Sequence, residues 1–259
     1  MSTQVRAGRL PTAVPAAIAG AWVVAVAAQT TGDAAMLDHD RLGHSGLPAV
    51  AALGLFLLAW QLMVAAMMLP SSLPMLRLFG VAAAGQDRRG AVLAAFLGGY
   101  ALVWTVFGAL AFTGDLALHR LVHRLPWLQA RPWLLAGGVV ALAGAFQLST
   151  LKDRCLDVCR HPAVYLQHHY RRGVGQAFRL GRGHGLFCLG CCWALMLVMF
   201  AAGIANLAWM AALAALMAYE KTGRHGRRLA PVAGIALLAL AGLVLAHPTW
   251  LPAALTGAN

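Results

Sequence analysis

Negative charge is nearly missing from this sequence. Of 259 residues only eight are acidic, and Glu220 is the one glutamate. A proton-driven pump normally keeps an acid inside a span; none is evident in the apolar runs, which argues against proton-coupled transport. Charged residues of both signs make up 11% of the chain, against about 25% in a soluble domain, so a water-soluble fold is disfavoured. The short alternating segments of a transmembrane β-barrel are absent too. There is no Gly-x-Ser-x-Gly, no His-Glu-x-x-His and no phosphate-binding loop, hence no catalytic set for hydrolysis and an expectation of a non-enzyme. Cysteine is scarce, and the five present are an odd number that cannot pair fully within one chain. All five fall in loops or helix starts assigned to the cytoplasmic side, where thiols stay reduced. Free thiols or metal ligands are therefore expected over disulfides.

What is present is apolar. Hydrophobic residues reach 61% of the chain, in long continuous runs rich in Ala and Leu. A spanning helix needs about 20 such residues. The runs predict an all-α, polytopic transmembrane helical bundle, a single domain over 1–259. Spans are expected at about 11–28, 47–69, 91–112, 132–148 and 229–246. The first is read as an uncleaved anchor, since its apolar stretch is long for a signal peptide. The run 186–219 is long for one helix and short for two, with Gly203 and Asn206 near its middle. Six or seven spans follow.

The net charge of +12 invites a nucleic-acid partner, but the basic residues lie between apolar runs, where topology places them. With a cytoplasmic amino terminus and seven spans, most of the basic residues fall inside. The reading is a multi-pass protein of the bacterial inner membrane with no nucleic-acid partner.

The most informative segment is Cys188-Leu189-Gly190-Cys191-Cys192-Trp193-Ala194-Leu195-Met196-Leu197-Val198-Met199. On a helix Cys188, Cys192, Met196 and Met199 share one face. Thiolate and thioether donors select Cu(I) over harder ions, so copper, or another soft metal, is the expected ligand. His184 lies just before. Thiol redox exchange and simple helix packing by small cysteines are the alternatives. Cys155 and Cys159, spaced i, i+4, share a face if their stretch is helical, and Lys152, Arg154 and Arg160 beside them favour the metal-binding thiolate; two free loop thiols are the other reading. Met63 and Met67 share a face just before Pro70 and Pro74, which bracket a kinked membrane exit; they are core filler unless they stand beside the cysteine helix. In the loop with Asp38 and Asp40, His39 and His44 are candidates for capturing an oxidised or divalent ion, or merely solvated. Asn206, like Gln61 and Gln147, is read as an interhelical hydrogen-bonding group.

The chain resembles a bacterial family of predicted metal-binding integral membrane proteins. The resemblance rests on Met63-x-x-x-Met67-Met68-Leu69-Pro70-Ser71 with Pro74-Met75, on Gly99-Tyr100 with Trp104, and on Lys152-x-x-Cys155-Leu156 with Cys159-Arg160-x-Pro162. Above all it rests on Gly185-x-x-Cys188-Leu189-Gly190-Cys191-Cys192-Trp193-Ala194-Leu195-Met196, continuing to Asn206-Leu207-x-Trp209-Met210 and Glu220-Lys221. It covers roughly residues 47–222. The family includes an accessory factor that loads copper into a polyphenol oxidase. The resemblance implies a metal path through Cys155, Cys159, Cys188, Cys191 and Cys192 with nearby methionines.

The sequence thus predicts a bilayer-embedded protein that binds Cu(I) and presents it, by Cys/Met ligand exchange, to a cuproenzyme or copper carrier. A metal-free subunit of a larger membrane complex and a thiol redox protein are the rivals.

Overall fold

The computed structural model describes residues 12–31, 48–201 and 207–247. Among them every regular element is a helix. The long ones are α1 (Ala13–Thr31), α2 (Ala49–Ala82), α3 (Arg89–His123), α8 (Val174–Ala201) and α10 (Gly226–Ala246). Shorter ones are α4 (Pro126–Gln129), α5 (Pro132–Gln147), α6 (Thr150–Arg160), α7 (Pro162–His169) and α9 (Leu207–Thr222). All five long helices have the length and apolarity to cross a membrane. The helices α5 and α6 meet at a 64° bend and make a sixth crossing if that pair is one span. The ambiguous run at 186–219 is divided between α8 and α9, and α9, at 16 residues, falls short of an upright span.

Polarity is arranged inside out. Large apolar side chains such as Leu58, Val23 and Ile235 are more than 60% exposed, while Lys152, Glu220 and Lys221 are 5% exposed or less. In lipid this is the low-energy arrangement, because hydrocarbon solvates the outer face and charges must find partners within.

Two sequence expectations change. The helix α2 does not end at the proline pair but runs through Pro70 and Pro74 to Ala82. Pro70 has no N–H to give to the Ala66 carbonyl one turn back. The indole Nε1 of Trp22 donates to that carbonyl at 3.1 Å, so the freed acceptor clips α1 onto α2. The second change is at α8, which begins at Val174, twelve residues before the apolar run. Its first turns look polar, yet Ala177, Leu180, Gly181, His184 and Gly185 are buried while Arg179 and Arg182 are exposed. That is an amphipathic stripe at helical period, which average hydropathy passes over. The cysteine motif consequently sits inside a helix and not at its start.

The most extensive helix contact is α3 against α8. Glycine makes it possible. A Cβ on Gly99 would lie 2.8 Å from the Arg182 nitrogen, and one on Gly181 would lie 2.7 Å from the Phe96 carbonyl carbon. Gly144 and Gly234 play the same part between α5 and α10, each Cβ falling 2.9 Å from the other's carbonyl oxygen. Such small-residue contacts let helix backbones approach closely. Polar side chains add to the seam: Gln61 on α2 donates to the Ala101 carbonyl at 3.1 Å and to Thr105 Oγ1 at 2.6 Å on α3.

The connections are locally determined. Ser149 caps α6 by accepting from the Lys152 N–H at 3.1 Å, and Asp153 in the first turn with Arg160 in the last complements the helix dipole. Pro162 stops α6 and opens α7 from its first turn. Gly173, at φ 108°, supplies the left-handed residue that turns the chain into α8.

Candidate metal centre

Four thiols converge in the core. Cys188, Cys191 and Cys192 on α8 are 0%, 1% and 1% exposed, and Cys159 on α6 is 8% exposed. The Sγ of Cys159 lies 3.9 Å from that of Cys191, and the Sγ atoms of Cys191 and Cys192 are 3.4 Å apart. Cys192 is in turn in side-chain contact with Cys188. The thiols thus form a chain from α6 across one turn of α8. Cys155 is half-buried and packs on the backbone at Gly190, where a Cβ would sit 2.6 Å from its Sγ. All five cysteines are free thiols.

The thioethers share this core. Met63, Met67, Met196 and Met199 are at most 3% exposed and belong to the same apolar cluster as the four thiols. Met68, Met210 and Met217 join them there. Met63 and Met67 share this buried cluster, but the helices packed most extensively on the cysteine helix α8 are α3, α6 and α5, not α2.

Two sets of charged groups flank the thiols. On one side Lys152 Nζ donates to Glu220 Oε2 at 2.6 Å and to the Cys191 carbonyl at 2.8 Å. Gln147 Nε2 donates to the other Glu220 oxygen at 2.6 Å, and Arg160 donates to the backbone carbonyls of Glu220 and Gly223 at 2.5 and 3.0 Å. On the other side Lys221 Nζ donates to Cys188 Sγ and to Ser71 Oγ, both at 3.1 Å. The Tyr100 hydroxyl is 3.1 Å from the same sulfur and lies 3.4 Å from Ser72 Oγ. Adjacent residues of α9 therefore point into opposite sets.

The sequence does not single out these flanking groups as site residues, although Lys152 and Glu220-Lys221 belong to the motif that carries the resemblance. Composition is a second signal for them: the chain has two lysines and one glutamate, and all three are buried around the α8 cysteines. Gln147 does form the interhelical bond expected of it, and its partner is Glu220.

His184 stands one turn before Cys188. Its ring stacks near Tyr100 and Phe96, with centroids 5.9 and 6.1 Å away. Its Nε2 is buried without a hydrogen-bond partner, so it keeps a donor nitrogen uncommitted in the core. Tyr165 on α7 closes this aromatic wall at 6.3 Å, and burial first, then nearby Cys159, raises its hydroxyl above the usual range. His39, His44 and Asn206 lie outside the described residues.

Among the described residues, no group of three or more His, Cys, Asp or Glu is arranged to hold a metal ion as it stands. The donor chemistry nonetheless suits a soft ion. Thiols and thioethers predominate, and the one carboxylate buried among the described residues is committed to Lys152 and Gln147. Hard cations, which want several free oxygens, find none here.

Fold and donors together define an all-α protein with bilayer-length helices around a buried thiol–thioether core. The chain belongs to the PpoB2 family, whose model, described as a copper chaperone, matches residues 57–244. That match takes in every helix from most of α2 to nearly the end of α10. Comparison with curated proteins and with solved structures gives no match.

Proposed function

We propose that this chain holds Cu(I) inside the bacterial inner membrane and passes it to a cuproenzyme or copper carrier by exchange between sulfur ligands. The observation that carries this reading is the convergence of Cys159, Cys191, Cys192 and Cys188 in one buried chain of thiols, in the same cluster as Met63, Met67, Met196 and Met199. A copper chaperone family name agrees with it and points to an accessory role.

Copper is the cargo. Cys155, the half-exposed thiol, and Cys159 receive the ion on the cytoplasmic side. Cys191 and Cys192 take it from Cys159, and Cys188 extends the path. The methionines relay it onward, with His184 Nε2 as a further donor beside Cys188. Neighbouring sites of similar, moderate strength let an ion move without a deep trap. The amino terminus is cytoplasmic in this arrangement, consistent with the charge distribution.

The test is Cu(I) binding by the purified, reduced protein beside the Cys188/Cys191/Cys192→Ser triple variant. Bound copper in the parent and its loss in a folded variant is the expected result. Equal copper in both sinks the assignment, and no copper in either transfers the case to a metal-free membrane subunit. The 3.9 Å approach of Cys159 to Cys191 also favours a thiol redox reading. That reading requires a reversible Cys159–Cys191 disulfide, which alkylation of the oxidised protein followed by mass spectrometry detects.

A further inference from the structure

The four buried thiols do not share the same surroundings. Lys221 Nζ and the Tyr100 hydroxyl each lie 3.1 Å from the sulfur of Cys188. Among the described residues no ammonium or hydroxyl reaches the sulfurs of Cys159, Cys191 or Cys192, whose polar contacts are with other thiols and with the Cys188 carbonyl. Two serines of α2, next to Pro70, fix the two donors. Ser71 donates to the Met68 carbonyl at 2.9 Å and accepts from Lys221 at 3.1 Å. Ser72 donates to the Tyr100 oxygen at 3.4 Å, which leaves the Tyr100 proton for the sulfur. Gly185 lets α3 bring the ring to α8: a Cβ there would lie 3.2 Å from Val103 and 3.4 Å from the Tyr100 Cα.

We infer that Tyr100 is a positioning residue that makes Cys188 the sulfur from which the ion is released. The inference rests on the metal-handling reading above and adds how release is regulated. A sulfur bound to metal carries no proton, so Tyr100 and Lys221 act on it only as donors. A hydrogen bond is stronger to a full thiolate than to a sulfur that shares its charge with a metal. The donors therefore stabilise Cys188 more as it lets go than while it holds. This hastens its departure, just as a better-stabilised thiolate leaves faster in thiol exchange. Cys159, Cys191 and Cys192 lack such donors and keep the ion longer. Partners one shell out from a metal tune its ligands in this way. The effect belongs to the surroundings of one sulfur and is independent of how many thiols bind.

Release is followed on the full-length protein in micelles, loaded with Cu(I) without oxygen and mixed with an excess of a chromogenic Cu(I) chelator. The variants are Tyr100→Phe, Cys188→Ser and the two combined. Tyr100→Phe removes one donor and keeps the aromatic ring. The expected result is release slowed by about tenfold in Tyr100→Phe, the scale of one hydrogen bond to a charged group. In the Cys188→Ser background, which retains copper on the remaining thiols, the same change is expected to have no effect on the rate. An unchanged rate in Tyr100→Phe overturns the inference. Equal slowing in both backgrounds does so too, because it assigns Tyr100 to packing. Loss of copper from Cys188→Ser makes Cys188 a holding ligand and also overturns it, as does a Tyr100→Phe protein without parental helicity. A parent that binds no copper overturns the metal-handling reading itself, which is a different failure.

Discussion

At the scale of single residues, the core depends on charges that have no access to water. Lys152 and Glu220 are each 1% exposed. Replacing Lys152 by Met strands a carboxylate whose other partner is the neutral Gln147. Losing one member of a buried pair costs about 3–5 kcal/mol, whereas replacing both by apolar groups is often neutral. Unfolding in micelles is therefore expected to show Lys152→Met as strongly destabilised and Lys152→Met/Glu220→Met as substantially recovered. A double variant no better than the single one would show that the pair is not the source of the cost. The thiols and thioethers of this core were legible in the sequence because their chemistry is unusual for lipid-facing segments. Lys152, Glu220 and Lys221 entered the sequence reading as motif residues and loop charges, Lys152 also as a neighbour of Cys155 and Cys159. Their burial against the core was not legible. At the ends of apolar runs, charges resemble topology signals, and only packing reveals that these face inward. The contact of Cys159 with Cys191 was equally hidden, since no spacing rule joins residues on separate helices.

At the scale of elements, glycine sets how closely the helices pack. Gly98 and Gly99 are neighbours on α3 with opposite surroundings. A Cβ at Gly98 meets nothing within 4 Å, while one at Gly99 runs into the backbone of α8. Gly98→Ala is expected to be neutral or to stabilise by up to about 1 kcal/mol through helix propensity. Gly99→Ala is expected to separate α3 from α8 and lower the melting temperature markedly. Matched thermal melts check the pair, and similar behaviour of the two variants would refute the close-contact argument. The sequence located the apolar helices because long runs report burial in lipid. It mislaid their ends where helix and hydropathy part company: α2 continues through two prolines, and α8 starts on an amphipathic turn whose buried stripe is thin. The run at 186–219 divides between two helices, one of the two arrangements the sequence allowed.

At the scale of the whole molecule, composition and architecture meet in one place. Basic residues number 20, and the exposed ones are arginines; both lysines are buried against the thiol core. A trypsin-like protease therefore finds arginines on the surface, but a lysine-specific protease has its only two cleavage points beside Cys191 and Cys188. Proteolysis requires local opening of the chain and tracks the open population when reclosing is fast. Resistance to the lysine-specific enzyme, with arginine-directed cutting of exposed segments unaffected, is the expected pattern. Soft-metal loading should slow the lysine cuts further, because a ligand that binds only the closed form lowers the open fraction. Rapid lysine cleavage of folded protein would contradict the burial. The scarcity of lysine thus gives the molecule a built-in gauge: each lysine cut counts one chain whose sulfur chamber has come apart.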